Sequence, residues 1–187
     1  MYEYGKKNAL WGEDVALTYD GCLGDLASLS PYLHSKKCPV LVKVGEDPVP
    51  SRMCGVAATK RDALIVGGFK SFPDEGIAPI AAGSAEVHRF VGNGPYDANE
   101  KINNWIEQRI DPESFLVVSI WHPEDALAIA SFASKSKSLV LLEDPQNLDS
   151  VAHAIKYIGK NKKQLRFVGD RSRFNDLDKE LLVKASA

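Results

Sequence analysis

The segment DVALTYDGCLGDLASLSPYLHSKKCPVLVKV (residues 14–44) contains a pattern that returns in FLVVSIWHPEDALAIASFASKSKSLVLLED (residues 115–144). Matched positions in these two segments lie 100 residues apart. A second pair of segments, IVGGFKSFPD (65–74) and FVGDRSRFND (167–176), matches at an offset of 102. Two offsets this close to each other predict an internal repeat, in which each copy is one supersecondary unit.

Within each copy, the apolar residues form runs of strand length that are nearly continuous instead of alternating. Such runs are typical of parallel strands that are covered on both faces. Segments with helical periodicity separate them, and this alternation predicts an α/β fold with mostly parallel sheets. The predicted strands are 14–19, 39–44, 62–67, 86–91, 115–121, 139–143 and 164–168. The predicted helices are 24–36, 50–60, 73–82, 96–110, 123–136, 147–159 and 174–185.

The fold class predicted from these patterns is α/β, with two Rossmann-like βαβαβα repeats and helices on both faces of their sheets. Residues 1–86 are predicted to form repeat one, which is truncated at its start, and residues 87–187 to form a complete repeat two.

The bulk composition argues against several classes of protein. The chain has 187 residues and a formal net charge of −2, so it has no global attraction to nucleic acid or to acidic membranes. It contains no apolar stretch of 18 residues, which predicts no membrane insertion. Three cysteines in a chain without a secretory leader favour free thiols. As the sequence stands, we expect a cytoplasmic location, or the cell envelope if a leader has been removed.

Several short motifs of the chain resemble the cell-wall-binding repeat family, type 2. RFVGNGPYDA (residues 89–98) resembles the opening of a family unit, Arg-x-x-Gly-x-x-Arg-Tyr-x-Thr-Ala, although Pro95 replaces its second arginine and its threonine is absent. Three further pairs of segments resemble the helix-starting turn, the buried strand and the glycine strand end: 25–27 and 125–127, 39–42 and 139–142, 67–68 and 169–170.

This resemblance extends from about residue 13 to residue 185. It implies non-covalent binding of anionic wall polymers without catalysis. Family members usually carry three repeats behind a secretion signal, whereas two repeats are visible here, the first without its opening.

Ligands of open parallel sheets bind beyond the carboxyl ends of the strands, and the loop after the first strand is one candidate site. There, Gly21 allows close approach of an anion to the amides that begin the next helix. Asp20 and Asp25 lie in the same loop and would repel an anion, and Asp25 is equally explained as a charge that complements the helix dipole. Both interpretations stay open.

The loops after the third strand of each repeat carry the cationic candidates. In repeat one these are Gly68 and Lys70, and in repeat two Arg171 and Arg173. Arginine suits bidentate contact with a carboxylate or a phosphate, so the arginine pair is the stronger candidate for anion recognition. The alternative is a solvated polar turn.

Trp121, His122 and Asp125 follow the first strand of repeat two. The indole of Trp121 can stack on a sugar ring, or simply pack. His122 lies three residues before Asp125, so the two side chains can meet across a helical turn, but no nucleophile-elbow motif accompanies them. We therefore predict no catalytic residues. The sequence does not decide whether the protein is an enzyme, although it favours a protein without catalytic activity.

No cofactor and no metal are predicted. The loop GNGPYD (residues 92–97) resembles a dinucleotide-binding G-x-G-x-x-G, but Asp97 replaces its third glycine, which favours a structural turn with Asp97 as the helix N-cap. The histidines have neither the spacing of zinc ligands nor a cysteine beside them.

Three functions remain compatible with these features. The first is a non-catalytic module that binds an anionic polysaccharide or another envelope polymer. The second is an intracellular Rossmann-like protein that binds, or turns over, a small phosphorylated or carboxylated metabolite. The third is assembly of the two-repeat chain into a homo-oligomer. We favour the first on the basis of the resemblance to the cell-wall-binding repeat family.

Overall fold

The computed structural model describes residues 2–45, 47–83, 86–144, 146–161 and 163–187. Within these ranges the chain divides into two compact units. The first comprises residues 1–26 and 32–91, and the second comprises residues 27–31 and 92–187. All strand pairs in the described ranges are parallel.

The first unit is built on a four-stranded sheet. Its elements are α1 (Tyr2–Lys7), β1 (Val15–Tyr19), α2 (Leu23–Ser35), β2 (Val40–Lys43), α3 (Ser51–Ala57), β3 (Asp62–Val66), α4 (Asp74–Ala81) and β4 (Glu86–Phe90). The strand order is β2-β1-β3-β4. β3 is buried along its whole length, which explains why its sequence is nearly all apolar.

The second unit is built on a three-stranded sheet with the order β6-β5-β7. Its elements are α5 (Pro95–Glu107), β5 (Ser114–Ser119), α6 (Pro123–Ala128), α7 (Ala130–Lys135), β6 (Ser138–Glu143), α8 (Leu148–Asn161), β7 (Gln164–Val168), a 3-10 turn (Arg171–Arg173) and α9 (Asp176–Ser186). Parallel sheets with helices on both faces confirm the predicted fold class.

The register of the strands confirms the internal repeat. In the first sheet Ala16 pairs with Val40, and 100 residues later Leu116 pairs with Val140. The offset of 102 recurs in the third strands. Val15 pairs with Ala63 in the first sheet, and in the second sheet Phe115 pairs with Leu165, which lies 102 residues after Ala63. β4 pairs with β3 and extends the first sheet. The sequence boundary between repeats at residue 86 stays a prediction.

Backbone conformation also repeats at these offsets. Lys37 and Lys137 both have positive φ, 51° and 47°, in the turns that lead into β2 and β6. Gly67 and Gly169, which directly follow β3 and β7, have φ of 135° and 119°. Residues with a side chain rarely adopt φ values of this size, so the backbone requires glycine after both strands.

Several predicted boundaries are corrected by the structure. The helix predicted over 123–136 is two helices, α6 and α7, that meet at Ile129. α1 had no counterpart among the predicted elements. Gly94, not Asp97, is the N-cap of α5, and the Asp97 carboxylate lies in the first turn, where it accepts a hydrogen bond from the amide of Asn93 at 2.9 Å.

Among the described residues, no helix combines sufficient length with sufficient hydropathy to cross a bilayer.

Candidate functional site

The carboxyl edge of each sheet holds the residues that the sequence singled out. In the first unit, the ring of Tyr19 lies against the glycines of two loops. A Cβ atom on Gly21 would lie 2.5 Å from this ring, and one on Gly67 would lie 3.2 Å from it. The space beside Gly21, which the sequence assigned to an approaching anion, is therefore taken by Tyr19.

The two acids of the same loop have local partners. Asp20 Oδ1 accepts a hydrogen bond from the amide of Gly45 at 2.8 Å, which ties the loop after β1 to the loop after β2. The carboxylate of Asp25 accepts from Cys22 Sγ at 2.9 Å. Burial raises the pKa of Asp25, and the hydrogen bond from Cys22 opposes that rise. Both acids thus stabilise the local loop structure.

Lys43, at the end of β2, was not singled out by the sequence. Its ammonium is buried and donates to the carbonyls of Gly45 and Asp47, at 2.7 and 2.6 Å. It also lies 5.6 Å from the centre of the Phe72 ring. Lys43 therefore holds the loop after β2 in place.

Gly68 and Lys70 lie in the exposed turn after β3. The carbonyl of Gly68 accepts hydrogen bonds from the amides of Ser71 and Phe72, at 3.1 and 3.0 Å. A Cβ atom on Gly68 would meet open space, so this glycine is not required by packing.

Beside this turn lies a cation that the sequence did not identify. The guanidinium of Arg89 on β4 lies 4.4 Å from the centre of the exposed Phe69 ring, donates to the carbonyl of Phe72 and pairs with Asp74. Arg89 was missed because it lies within a strand, while its partners come from a loop and a helix start.

In the second unit, Trp121 is 64 % exposed, yet its orientation is fixed. Its Nε1 donates to Asp144 Oδ1 at 2.9 Å, and the hydroxyl of Tyr96 donates to Asp144 Oδ2 at 3.3 Å. Burial and the Asp144 carboxylate raise the pKa of Tyr96 to about 12, so its hydroxyl stays a donor at neutral pH. We call Trp121, Asp144 and Tyr96 the indole platform.

Asp144 and Tyr96 were not predicted as site residues. Asp144 directly follows β6, and its position at a strand end is the one feature of the sequence that points to it. Tyr96 had been assigned to a structural turn.

The predicted pair of His122 and Asp125 is divided between other partners. His122 Nδ1 lies 3.0 Å from Glu124 Oε1, whereas Asp125 forms an ion pair with Arg173. The backbone hydrogen bond of Glu124, followed by the hydrogen bond from His122, lowers the pKa of Glu124. Arg173 also contacts the strand end, since a Cβ atom on Gly169 would lie 3.0 Å from its Cδ.

The side chain of Arg171 lies outside the described residues, and its role in anion recognition stays a prediction. Arg173, with a quarter of its side chain exposed, is shared with Asp125. An anionic ligand would therefore share this guanidinium with an acid of the protein, which lowers the attraction that Arg173 offers.

Glu143, the last residue of β6, is fully buried. Neither of its carboxyl oxygens accepts a hydrogen bond from a donor in the described ranges. Burial, followed by the carboxylates of Asp178 and Asp144, raises the pKa of Glu143 to about 8. The carboxyl edge of the second unit therefore combines acids and aromatic rings with the guanidinium of Arg173.

No protein-family model matches this sequence, and curated proteins give no match either. Two solved structures are similar over 94 % of the chain, each with a TM-score of 0.76. These are Cwp8 and Cwp6 from Clostridium difficile, at 20 % and 15 % sequence identity. The chain has a cell-wall-binding-repeat-like fold. The resemblance inferred from the motifs is confirmed at the level of the fold.

The cell-wall-binding-repeat-like fold accounts for part of each neighbour. This chain covers 29 % of the length of Cwp8 and 28 % of the length of Cwp6. It therefore spans less than a third of the proteins that it resembles.

Proposed function

We propose that the chain is a non-catalytic binding module of the cell envelope, which attaches to a wall polysaccharide through the indole platform of its second unit. The observation that carries this proposal is the exposed indole of Trp121, held in one orientation by the buried carboxylate of Asp144. A flat aromatic face that is already ordered binds the apolar face of a sugar at a small entropic cost.

The groups around the indole hold it in its orientation. The buried Asp144 carboxylate accepts hydrogen bonds from Trp121 Nε1, from the hydroxyl of Tyr96 and from the amide of Gln146. Hydrogen bonds to ionised groups are stronger than those between neutral partners, so this carboxylate fixes the ring that would stack on a sugar. The similarity in fold to two Clostridium difficile cell wall proteins supports an envelope polymer as the source of the sugar.

We further propose that the polymer is anionic. Arg173, together with Arg171, supplies positive charge after β7, and Lys70 supplies it after β3 in the first unit. This part of the proposal has less support, because Asp125 shares Arg173 and because acids crowd the carboxyl edge.

The test is calorimetric titration of the intact chain with polysaccharide extracted from bacterial cell walls, in its native form and after carboxyl reduction. We expect Trp121→Ala to weaken binding roughly three- to tenfold, the value of one aromatic contact. Phe132→Ala is the matched control, since Phe132 is an exposed ring on α7 of the same unit.

Equal binding by wild type and Trp121→Ala would contradict the role of the platform. Equal binding of the native and reduced polymers would be consistent with the role of the indole platform but would contradict the proposal that the polymer is anionic. Binding of a small phosphorylated metabolite in place of any polysaccharide would support the alternative function and overturn this one.

A further inference from the structure

Three metal-ligating side chains meet at the amino end of the first sheet, opposite the edge described above. They are Asp62 on β3, and Glu86 and His88 on β4, and one ligand atom from each lies within 4.8 Å of the other two. His88 Nε2 is 3.0 Å from Asp62 Oδ1 and 3.8 Å from Glu86 Oε1. Ligands bound at about 2.0–2.2 Å to one ion lie roughly 3–4 Å from one another, so the two separations from His88 suit a common ion.

The sheet itself holds these residues together. Asp62 lies directly opposite Glu86 in the parallel register, and His88 follows Glu86 by two residues on the same strand. Residues two apart on a strand point to the same face, so His88 and Glu86 are brought to the same side. The three ligands therefore belong to hydrogen-bonded strands instead of loops.

A neighbouring arginine orients the central ligand. Arg61 Nε donates to Asp62 Oδ2 at 3.1 Å, which leaves Oδ1 directed at His88. The other nitrogens of Arg61 donate to Glu13 at 3.0 Å and to Asp14 at 2.8 Å. Carboxylates that bind metal ions are usually held in place by a hydrogen bond of this kind.

The charge of the cluster favours a cation. Glu13, Asp14, Asp62 and Glu86 bring four carboxylates, against the single guanidinium of Arg61. The balance stays negative even when His88 is protonated. Like charges directly opposite each other on neighbouring strands destabilise a sheet, and a bound cation would relieve this for Asp62 and Glu86.

The second repeat shows that the fold does not need acids at two of these positions. Ser114 and Gln164 occupy the positions that correspond to Asp14 and Asp62, and they pair in the same register. The same backbone is thus built with neutral residues in one repeat and with charged residues in the other. Asp14 and Asp62 are therefore not required for pairing of the first and third strands.

We propose that Asp62, Glu86 and His88 bind a divalent transition-metal cation, with Zn²⁺ as the reference ion. An imidazole and carboxylates form an accepted ligand set for zinc, and water would complete the coordination shell through the exposed side of Glu86. This proposal is independent of polysaccharide binding. The spacing of the histidines predicted no metal site, and the cluster departs from that prediction because it depends on a contact between strands.

The experiment is calorimetric titration of the metal-free intact chain with zinc chloride. We expect one ion per chain at this cluster, bound at least about tenfold more weakly by His88→Gln and by Glu86→Gln. His153→Gln is the matched control, because His153 also pairs with a carboxylate, that of Glu100 at 3.5 Å. It should bind zinc as the wild type does.

The Glu86→Gln variant still tests the proposal if His88→Gln fails to fold. The Glu86 side chain is 74 % exposed, so Glu86→Gln should fold and, in the presence of a chelator, should unfold at a temperature no lower than that of the wild type. Unchanged zinc affinity in a folded Glu86→Gln, or an equal loss of affinity in His153→Gln, would overturn the proposal. No binding by the wild type would overturn it as well.

Discussion

Lys43 and Glu143 occupy equivalent positions at the carboxyl ends of the second strands of the two repeats, and they carry opposite charges. Both are buried. The ammonium of Lys43 donates to two loop carbonyls, whereas Glu143 lacks a hydrogen-bond donor within the described ranges. At this position the charged side chain of the first unit is stabilised by hydrogen bonds. The corresponding side chain of the second unit is a buried acid whose ionisation would destabilise the fold.

Glu143→Gln is expected to raise stability above neutral pH. The folded-state pKa of Glu143 is about 8 and its ordinary value is 4.5, so the folded chain binds more protons between these pH values. The free energy of unfolding should therefore fall as pH rises through this window, by at most about 1.4 kcal/mol per pH unit. Glutamine removes the ionisation, so denaturant unfolding of the variant at pH 5 to 8 should show a flatter profile.

The control for this variant is Glu180→Gln, which changes an exposed glutamate on α9. An equally steep pH profile in wild type and Glu143→Gln would show that Glu143 does not carry the dependence.

Lys43→Met is expected to destabilise the first unit. It keeps the aliphatic length of the side chain but removes two hydrogen bonds from an ammonium to the carbonyls of Gly45 and Asp47. Hydrogen bonds to charged groups contribute about 1.5–3 kcal/mol each, so we expect a total loss of roughly 2–4 kcal/mol after partial relaxation. Urea denaturation measures it. Lys184→Met, which disrupts an exposed pair with Glu180, should cost less than about 1 kcal/mol.

Alanine at either strand-end glycine should destabilise the chain by about 1–3 kcal/mol, because Gly67 and Gly169 have φ of 135° and 119°. Gly68→Ala is the matched control beside the first of them, since its Cβ atom would meet open space. Thermal unfolding of the three variants distinguishes backbone strain from the general effect of losing a glycine. A loss in Gly68→Ala as large as that in Gly67→Ala would contradict the conformational explanation.

The three cysteines should resist thiol reagents in the folded chain. Cys22, Cys38 and Cys54 are free and buried, as the sequence predicted, and burial raises the pKa of each thiol, that of Cys38 to about 12. Since the thiolate is the reactive form, labelling at pH 8 should be slow before denaturation and complete after it. Rapid labelling of one thiol in the native chain would contradict this burial.

The strands were predictable because a buried parallel strand requires apolar residues on both faces, and such a run is visible without a partner. β5 and β6 are buried at every position, and their sequences contain few polar residues. α1 was missed because its sequence, YEYGKK, has no helical pattern of apolar residues. The offsets of 100 and 102 predicted the equivalence of residues that the strand register later confirmed.

The candidate sites were less predictable, because their contacts join residues that are distant in the chain. His122 was expected to meet Asp125, yet it pairs with Glu124, and Asp125 pairs with Arg173 from the loop after β7. Asp144 was not singled out, although it orients Trp121.

The sequence alone was sufficient for the class of the fold, the positions of the strands and the repeat, since these follow from periodicity and from the matching of segments. Only the tertiary structure shows that β4 joins the first sheet and which partner each charged side chain contacts. Hydrogen bonds and ion pairs form only when the two atoms are about 3 Å apart. The packing of the whole unit determines these distances, and they cannot be inferred from spacing along the chain. For that reason Lys43 and Glu143, equivalent in the repeat, have opposite environments.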